Sequence, residues 1–400
     1  MKAKREVALY ILMFNMFIAM TGIGLIIPIM PSVLNSFGLG GQALGLMIAA
    51  FSFAQFIFSP LAGDLSDRYG RKKIIITGLL LFSSSQLIFG LSDVVWLLYV
   101  SRIIGGLGSA FMVPAMMAYV ADITSYENRG KGMGQLGASM SLGFVIGPGI
   151  GGFLASLGLR APFFIAALVS AIAAIISFLL LPEVHKAQEV KQNELVHQKR
   201  DNLLKQMALS VKKSYFILLI IMFTLSFGLA NFQSTISLYV DHKFSFSPMD
   251  ISILMIVGGL IGVIMQSFFI NPLFVKFGEL SVMNTTLILS AITMLMILLA
   301  RGFWSVLIIS TFFFISTSML RPAINTLISK MAGKEQGFAA GMNNAYMSIG
   351  NMIGPALAGI LFDVNMNYPY IFGALIILIS FFISFYWSKQ FKKKKITVIT

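Results

Sequence analysis

Gly143-Phe144-Val145-Ile146-Gly147-Pro148-Gly149-Ile150-Gly151-Gly152 recurs in weaker form 207 positions later as Gly350-Asn351-Met352-Ile353-Gly354-Pro355-Ala356-Leu357-Ala358-Gly359. The same shift carries Pro162 onto Pro369, and a shift of 208 carries Val113-Pro114-Ala115 onto Arg321-Pro322-Ala323. A chain of 400 residues that repeats at half its length, in the same order and in apolar sequence, predicts a two-fold bundle of membrane helices. That architecture places a site where the halves meet, near the membrane midplane.

Working outward, the chain is 57% hydrophobic and 11% charged, with a mean hydropathy of +0.87. Apolar runs long enough to cross a bilayer recur along it. They predict an all-α membrane protein of twelve spans, near 8–30, 43–62, 74–92, 95–118, 133–158, 162–181, 214–239, 250–272, 280–300, 303–328, 337–361 and 369–388. The first span, ending in Gly and Pro without a small-residue cleavage site, reads as a permanent helix rather than a signal peptide. Two six-helix bundles follow, 1–181 and 214–388, joined by a polar linker 182–213 and ending in a basic tail 389–400. The linker predicts a short surface helix over 202–209. An even number of helices gives both halves the same orientation, related by an axis along the membrane normal.

The net charge of +14 is distributed by topology. With the N-terminus inside, cytoplasmic segments hold 24 of the 29 Lys and Arg, external loops hold Arg160, Lys243 and Arg301, and Arg102 and Arg321 lie within spans. This bias puts both termini in the cytoplasm and favours anionic lipid over nucleic acid as the partner of the basic patches. The absence of cysteine excludes disulfides and thiolate metal sites, and His185, His197 and His242 lie too far apart for a metal cluster. No Gly-Lys-Ser/Thr phosphate loop is present, so ATP is not this chain's energy source. No nucleophile constellation, cofactor motif or metal spacing suggests an enzyme.

The strongest local signal is Gly63-Asp64-Leu65-Ser66-Asp67-Arg68-Tyr69-Gly70-Arg71-Lys72-Lys73, between the second and third spans. Gly63 and Gly70 suit a tight turn, Asp67 suits the positive end of a helix, and Arg71 can pair with an acid at another helix end. Asp122 is the first candidate for that acid, and Arg129 can join; such a network latches one arrangement of helices. Gly147, Gly151 and Gly152 let a neighbouring backbone approach closely, and Pro148 bends the helix. Gly354 and Pro355 repeat the device. Arg102 and Arg321 are mid-span charges, which are functional by default. Gln55 and Asn351 are mid-span amides in need of partners.

These residues resemble the motifs of the major facilitator superfamily. The Gly63–Lys73 string is similar to its loop signature, Ser101-Arg102-Ile103-Ile104-Gly105-Gly106 to its second motif, and the Gly147-Pro148…Gly151-Gly152 run to its antiporter motif. The likeness spans nearly the whole chain and is nearest to the twelve-helix, proton-driven multidrug exporters of Gram-positive bacteria, the quinolone-resistance group. It implies a binding pocket lined by Ile23, Ile27, Phe51, Gln55, Arg102, Ser109 and Phe144 from the first half and by Gln233, Ser318, Arg321 and Asn351 from the second. It also implies two pocket carboxylates where this chain has Gln233 and Ser318, and none of the fifteen acids lies in the middle of a span.

The expectation is therefore a monomeric plasma-membrane transporter of a bacterial cell that exports small hydrophobic or amphipathic compounds by alternating access, with protons as the coupling partner and no cofactor or metal. Its 36 Phe and 25 Met offer a soft lining for varied cargo. Three readings of the missing acids stay open. Protons couple through peripheral acids such as Asp122 or Asp67. The substrate is neutral, zwitterionic or anionic and is drawn by Arg102 and Arg321. Or coupling is lost. The alternatives to drug export are a specific exporter or uniporter of a neutral or anionic metabolite or lipid, and a non-transporting membrane sensor or scaffold.

Overall fold

The computed structural model describes residues 2–125, 128–183, 203–333 and 335–397. Among them there are fifteen α-helices and no strand. They are α1 (Lys2–Gly24), α2 (Met30–Ser36), α3 (Gly41–Tyr69), α4 (Arg71–Leu91), α5 (Val95–Ile123), α6 (Arg129–Ala155), α7 (Ala161–Leu180), α8 (Leu203–Ser210), α9 (Phe216–Phe244), α10 (Pro248–Ile264), α11 (Ile270–Phe277), α12 (Glu279–Met296), α13 (Phe303–Ala332), α14 (Gln336–Val364) and α15 (Tyr368–Thr397). Twelve helical segments are long and apolar enough to cross a membrane, one for each span expected.

Two spans are less regular than hydropathy suggests. The first stops at Gly24, turns through Pro28 and resumes as α2 with Pro31 in its first turn, where a missing N–H is harmless. The eighth runs through α10, a π-helical turn Met265–Phe269 and α11. Pro272, early in α11, cannot donate to the carbonyl four residues back, and the wider turn just before it absorbs the irregularity. Several helices also overrun their apolar stretches, because backbone hydrogen bonding continues into polar sequence until a residue stops it. At the end of α3 that residue is Gly70, with φ 96°. Of the expected linker 182–213, residues 182–183 and 203–213, which include α8, are described. His185, Glu189, Glu194, His197 and Asp201 lie outside the described residues, as do Glu127 and the final three of the tail.

The chain forms two compact units. Unit 1 comprises Met1–Leu39, Met47–Arg200 and Phe246–Ile253; unit 2 comprises Gly40–Leu46, Asp201–Ser245 and Leu254–Thr400. Each thus gathers one six-helix half plus the first turns of a helix that begins near residue 41 or 248. Unit 1 is cored by Leu12 and Met16 of α1, Ile75, Leu79 and Phe82 of α4, and Met112, Met116 and Tyr119 of α5. A Cβ on Gly78 would stand 2.8 Å from the Gly108 carbonyl oxygen, and one on Gly108 equally close to the Gly78 oxygen, so α4 and α5 approach backbone to backbone. Asn15 Nδ2 donates to Ser177 Oγ at 2.8 Å, tying α1 to α7. Unit 2 packs around stacked Phe232 and Phe313, 4.1 Å between centroids, and Tyr239 against Tyr370. Polar links such as Ser290 to Ser316 at 2.9 Å and Ser380 to Thr224 at 2.7 Å hold helices together where apolar association is weak.

Candidate functional site

At one end of unit 1 the Gly70 bend brings the start of α4 under the last turn of α3. Arg71 Nη2 lies 2.5 Å from Asp67 Oδ1, Nη1 donates to Ser66 Oγ at 3.0 Å, and Nε donates to Asp122 Oδ2 at 3.1 Å, in the last turn of α5. One guanidinium, with its side chain 11% exposed, thereby ties three helix ends together. Arg129 lies beside this group, donating from Nη2 to the Ala121 carbonyl at 3.2 Å and so capping the end of α5. Of the two glycines expected to form the turn, only Gly70 does so. Gly63 lies within α3, with open space where a Cβ would stand, and Asp64, Asp67 and Arg68 extend that helix to Tyr69.

The internal repeat places a second clamp in unit 2. A shift of 208 takes Gly70 to Gly278, Arg71 to Glu279 and Asp122 to Lys330. Gly278 has φ 78° and ψ 151°, beside 96° and 144° at Gly70. Lys330 Nζ lies 2.5 Å from Glu279 Oε1. Sequence reading by motif missed this pair because its signs are exchanged, although the repeat shift was sufficient to find it. A third link at this end joins Lys213, just after α8, to both Glu335 oxygens at 2.7 Å. The Glu335 hydrogen bond raises the Lys213 pKa above its ordinary value.

The glycine runs pack within their own units. Added Cβ atoms on Gly143, Gly147 and Gly151 of α6 would meet the carbonyls of Phe17, Thr21 and Leu25 at 2.5, 2.8 and 2.1 Å. Gly350 and Gly354 of α14 meet those of Phe223 and Phe227 at 2.6 and 2.7 Å. Pro148 and Pro355 lie inside these helices, both buried. The next glycine in each run marks a further close approach. In unit 1, Gly152 abuts α10, whose Ser252 Oγ donates to the Pro148 carbonyl at 2.7 Å. In unit 2, Gly359 abuts Gly41, and Asp363 accepts from the Gly41 and Gln42 N–H groups at 2.6 and 2.8 Å. An acid from α14 thus caps α3, whose own first residues lack a capping side chain.

The residues expected to line a pocket fall into distinct settings. In unit 1, Gln55 Nε2 donates to buried Ser109 Oγ at 2.9 Å. Ile23, Phe51 and Phe144 are partly buried against the unit 1 core, and Ile27 is partly buried at the break after α1. Arg102 is 7% exposed, with its guanidinium 4.3 Å from the centroid of Phe89, which stacks on Phe163 at 4.4 Å. Its Nε and Nη2 find no hydrogen-bond partner among the described residues. In unit 2, Gln233 and Asn351 are partly buried and Arg321 is exposed. Ser318 is partly buried and donates to the Ile315 carbonyl of its own helix at 2.8 Å. Sequence treated the two arginines alike; the structure separates them, one over an aromatic stack and one on an open face.

Comparisons agree with this architecture. The family description "Major Facilitator Superfamily" matches residues 12–269 and 218–398. The chain is 44% identical over 380 residues, 95% of each protein, to multidrug resistance protein 2 of Bacillus subtilis (strain 168). It is 38% identical to the quinolone resistance protein NorA of Staphylococcus aureus, covering 90% of this chain and 91% of that protein. Among solved structures, an inward-facing, occupied bacterial homologue of the human lysosomal transporter Spinster superposes with a TM-score of 0.78 at 16% identity, covering 98% of each chain. The nucleoside transporter NupG (D323A mutant) superposes with a TM-score of 0.76 at 15% identity, covering 96% of this chain and 100% of that one. With twelve spans, two like-built halves and these relatives, the chain is a multi-pass membrane transporter and belongs to the major facilitator superfamily.

Proposed function

We propose that this protein exports hydrophobic and amphipathic compounds of several classes out of the cytoplasm, acting as a monomer by alternating access and exchanging protons for cargo. The observation that carries the reading is the pair of helix-end clamps at repeat-equivalent positions, Arg71 with Asp122 and Glu279 with Lys330. Links of this kind, repeated in two like-built bundles, suit a structure that alternates between two arrangements. The names of the relatives support drugs as the cargo. The excess of Lys and Arg in alternate loops supports cytoplasmic termini, with the clamps on the cytoplasmic side.

Asp67 and Asp122, grouped round Arg71, are the carboxylates we assign to proton exchange. Among the described residues no acid lies mid-helix in a span. Binding rests on Gln55, Ser109, Gln233, Ser318, Arg321 and Asn351, with Ile23, Ile27, Phe51 and Phe144 as apolar wall. Expression in a pump-deleted bacterial host, with drug accumulation measured with and without an uncoupler, tests the proposal. Lower accumulation of several unrelated drugs, restored by the uncoupler, is the expected result. Accumulation equal to the empty host for every drug would reject it.

A further inference from the structure

Arg321 stands on one face of α13 together with Ser318, Asn325 and Ser329, at spacings that align them along the helix. Arg321, Asn325 and Ser329 are exposed and Ser318 partly so. The face continues onto α14, because Asn343 Nδ2 donates to Asn325 Oδ1 at 2.9 Å. There Asn344 is exposed and Ser348 and Asn351 are partly so, again one helical stripe. Unit 2 therefore carries a polar face of amides and hydroxyls with one full positive charge, inside helices otherwise apolar enough to span a bilayer. Such a face is costly against lipid and belongs against water or a polar ligand.

Among the described residues the charge has no counter-ion. No hydrogen bond or ion pair involves Arg321 among the described residues, and each acid described in unit 2 lies at a helix end. Glu279 pairs with Lys330, Glu335 with Lys213, Asp363 caps α3, and Asp241 lies in the last turn of α9. A guanidinium with five N–H donors and no acceptor is complementary to a carboxylate, which it binds through two parallel hydrogen bonds. It repels a permanent cation at the same place.

We infer that this face is a subsite for the carboxylate of an amphipathic cargo, with Arg321 as its anchor, so that the protein prefers zwitterionic or acid-bearing compounds over lipophilic cations. The inference rests on the export function proposed above and names the class of substrate for it. Asn325, held by Asn343, orients the polar floor beside the anchor.

The test uses two probes that share one body. Norfloxacin is a zwitterion at neutral pH; its ethyl ester lacks the carboxylate and is a cation. Uptake of each into everted vesicles is measured for the wild-type chain, Arg321→Gln, Arg321→Lys and Ser318→Asp. The wild type is expected to favour norfloxacin by about tenfold, the scale of one charge-assisted hydrogen bond. Arg321→Gln should remove that preference by lowering norfloxacin uptake alone, and Arg321→Lys should keep part of it. Ser318→Asp, which sets a carboxylate one turn from Arg321, should raise uptake of the ester. Equal transport of both probes by the wild type, or an equal loss of both in Arg321→Gln, overturns the inference while leaving export intact. If Arg321→Gln does not fold, the wild-type ratio and the Ser318→Asp shift still decide. Movement of neither probe, nor of any other drug, by the wild type would instead reject the exporter reading itself.

Discussion

Arg71 with Asp122 and Glu279 with Lys330 occupy the same positions in the two repeats with their signs exchanged. The glycine before each pair keeps nearly the same left-handed backbone. What the halves share is a geometry, a bend that delivers a charged side chain to a neighbouring helix end, and either sign serves it. They differ in strength. Arg71 is 11% exposed and serves Asp67, Ser66 and Asp122, whereas Lys330 is 61% exposed and pairs with Glu279 alone among the described residues. A buried hub with three acceptors resists opening more than a solvated point contact does.

Reversing the hub should do most damage. Arg71→Glu faces two carboxylates and is expected to lower drug efflux by about thirtyfold, on the order of 2 kcal/mol for a partly buried network. Adding Asp122→Lys, which gives unit 1 the polarity of unit 2, should restore only part of the activity, because Asp67 and Ser66 were built around a guanidinium. In unit 2 the loss from Lys330→Glu should be less than about tenfold, as expected for an exposed pair. There Glu279→Lys with Lys330→Glu should recover fully. Efflux rates normalised to membrane expression check both; equal rescue in the two units would erase the distinction between hub and point contact.

The bends give a smaller and more symmetrical effect. Gly70→Ala and Gly278→Ala each force a side chain into positive φ, at about 1 kcal/mol apiece. Gly70→Ala should cost about as much as Gly278→Ala, because its Cβ meets only the tip of the exposed Glu183 side chain, which can swing aside, and that of Gly278 meets open space. Thermal denaturation in detergent checks both, and Gly63→Ala, inside a helix with nothing within 4 Å of its Cβ, should be at least as stable as the wild type.

The smallest effect concerns pH. The Lys213 pKa lies above its ordinary value because of Glu335. A raised folded-state pKa gives stability that is complete below the unfolded pKa and is lost as pH rises through the folded one. Between pH 6 and pH 9 the Lys213–Glu335 link should therefore leave the melting temperature unchanged. A difference between wild type and Glu335→Gln that shrinks should emerge only as pH rises beyond about 10.

The twelve spans were legible because hydropathy and the half-length repeat report a property summed over some twenty residues. Their interruptions were not, since a single Pro28 or Pro272 decides them and helices tolerate proline in several ways. Arg71 and Asp122 could be paired from chain order, both lying at helix ends on one side. Their sign-exchanged copy escaped a search for matching residue types. The arginines show a different limit. Arg102 and Arg321 look equivalent in the chain, each one charge within an apolar run, and only packing shows that Phe89, itself stacked on Phe163, lies against the first while the second stays open on a polar stripe.

Proton-coupled export is tested most directly in everted membrane vesicles whose interior has been acidified by respiration. Adding norfloxacin should discharge the pH gradient in vesicles carrying the wild-type protein and far less in those carrying Arg71→Glu. A gradient that stays unchanged while norfloxacin still enters the vesicles would contradict the exchange of protons for drug.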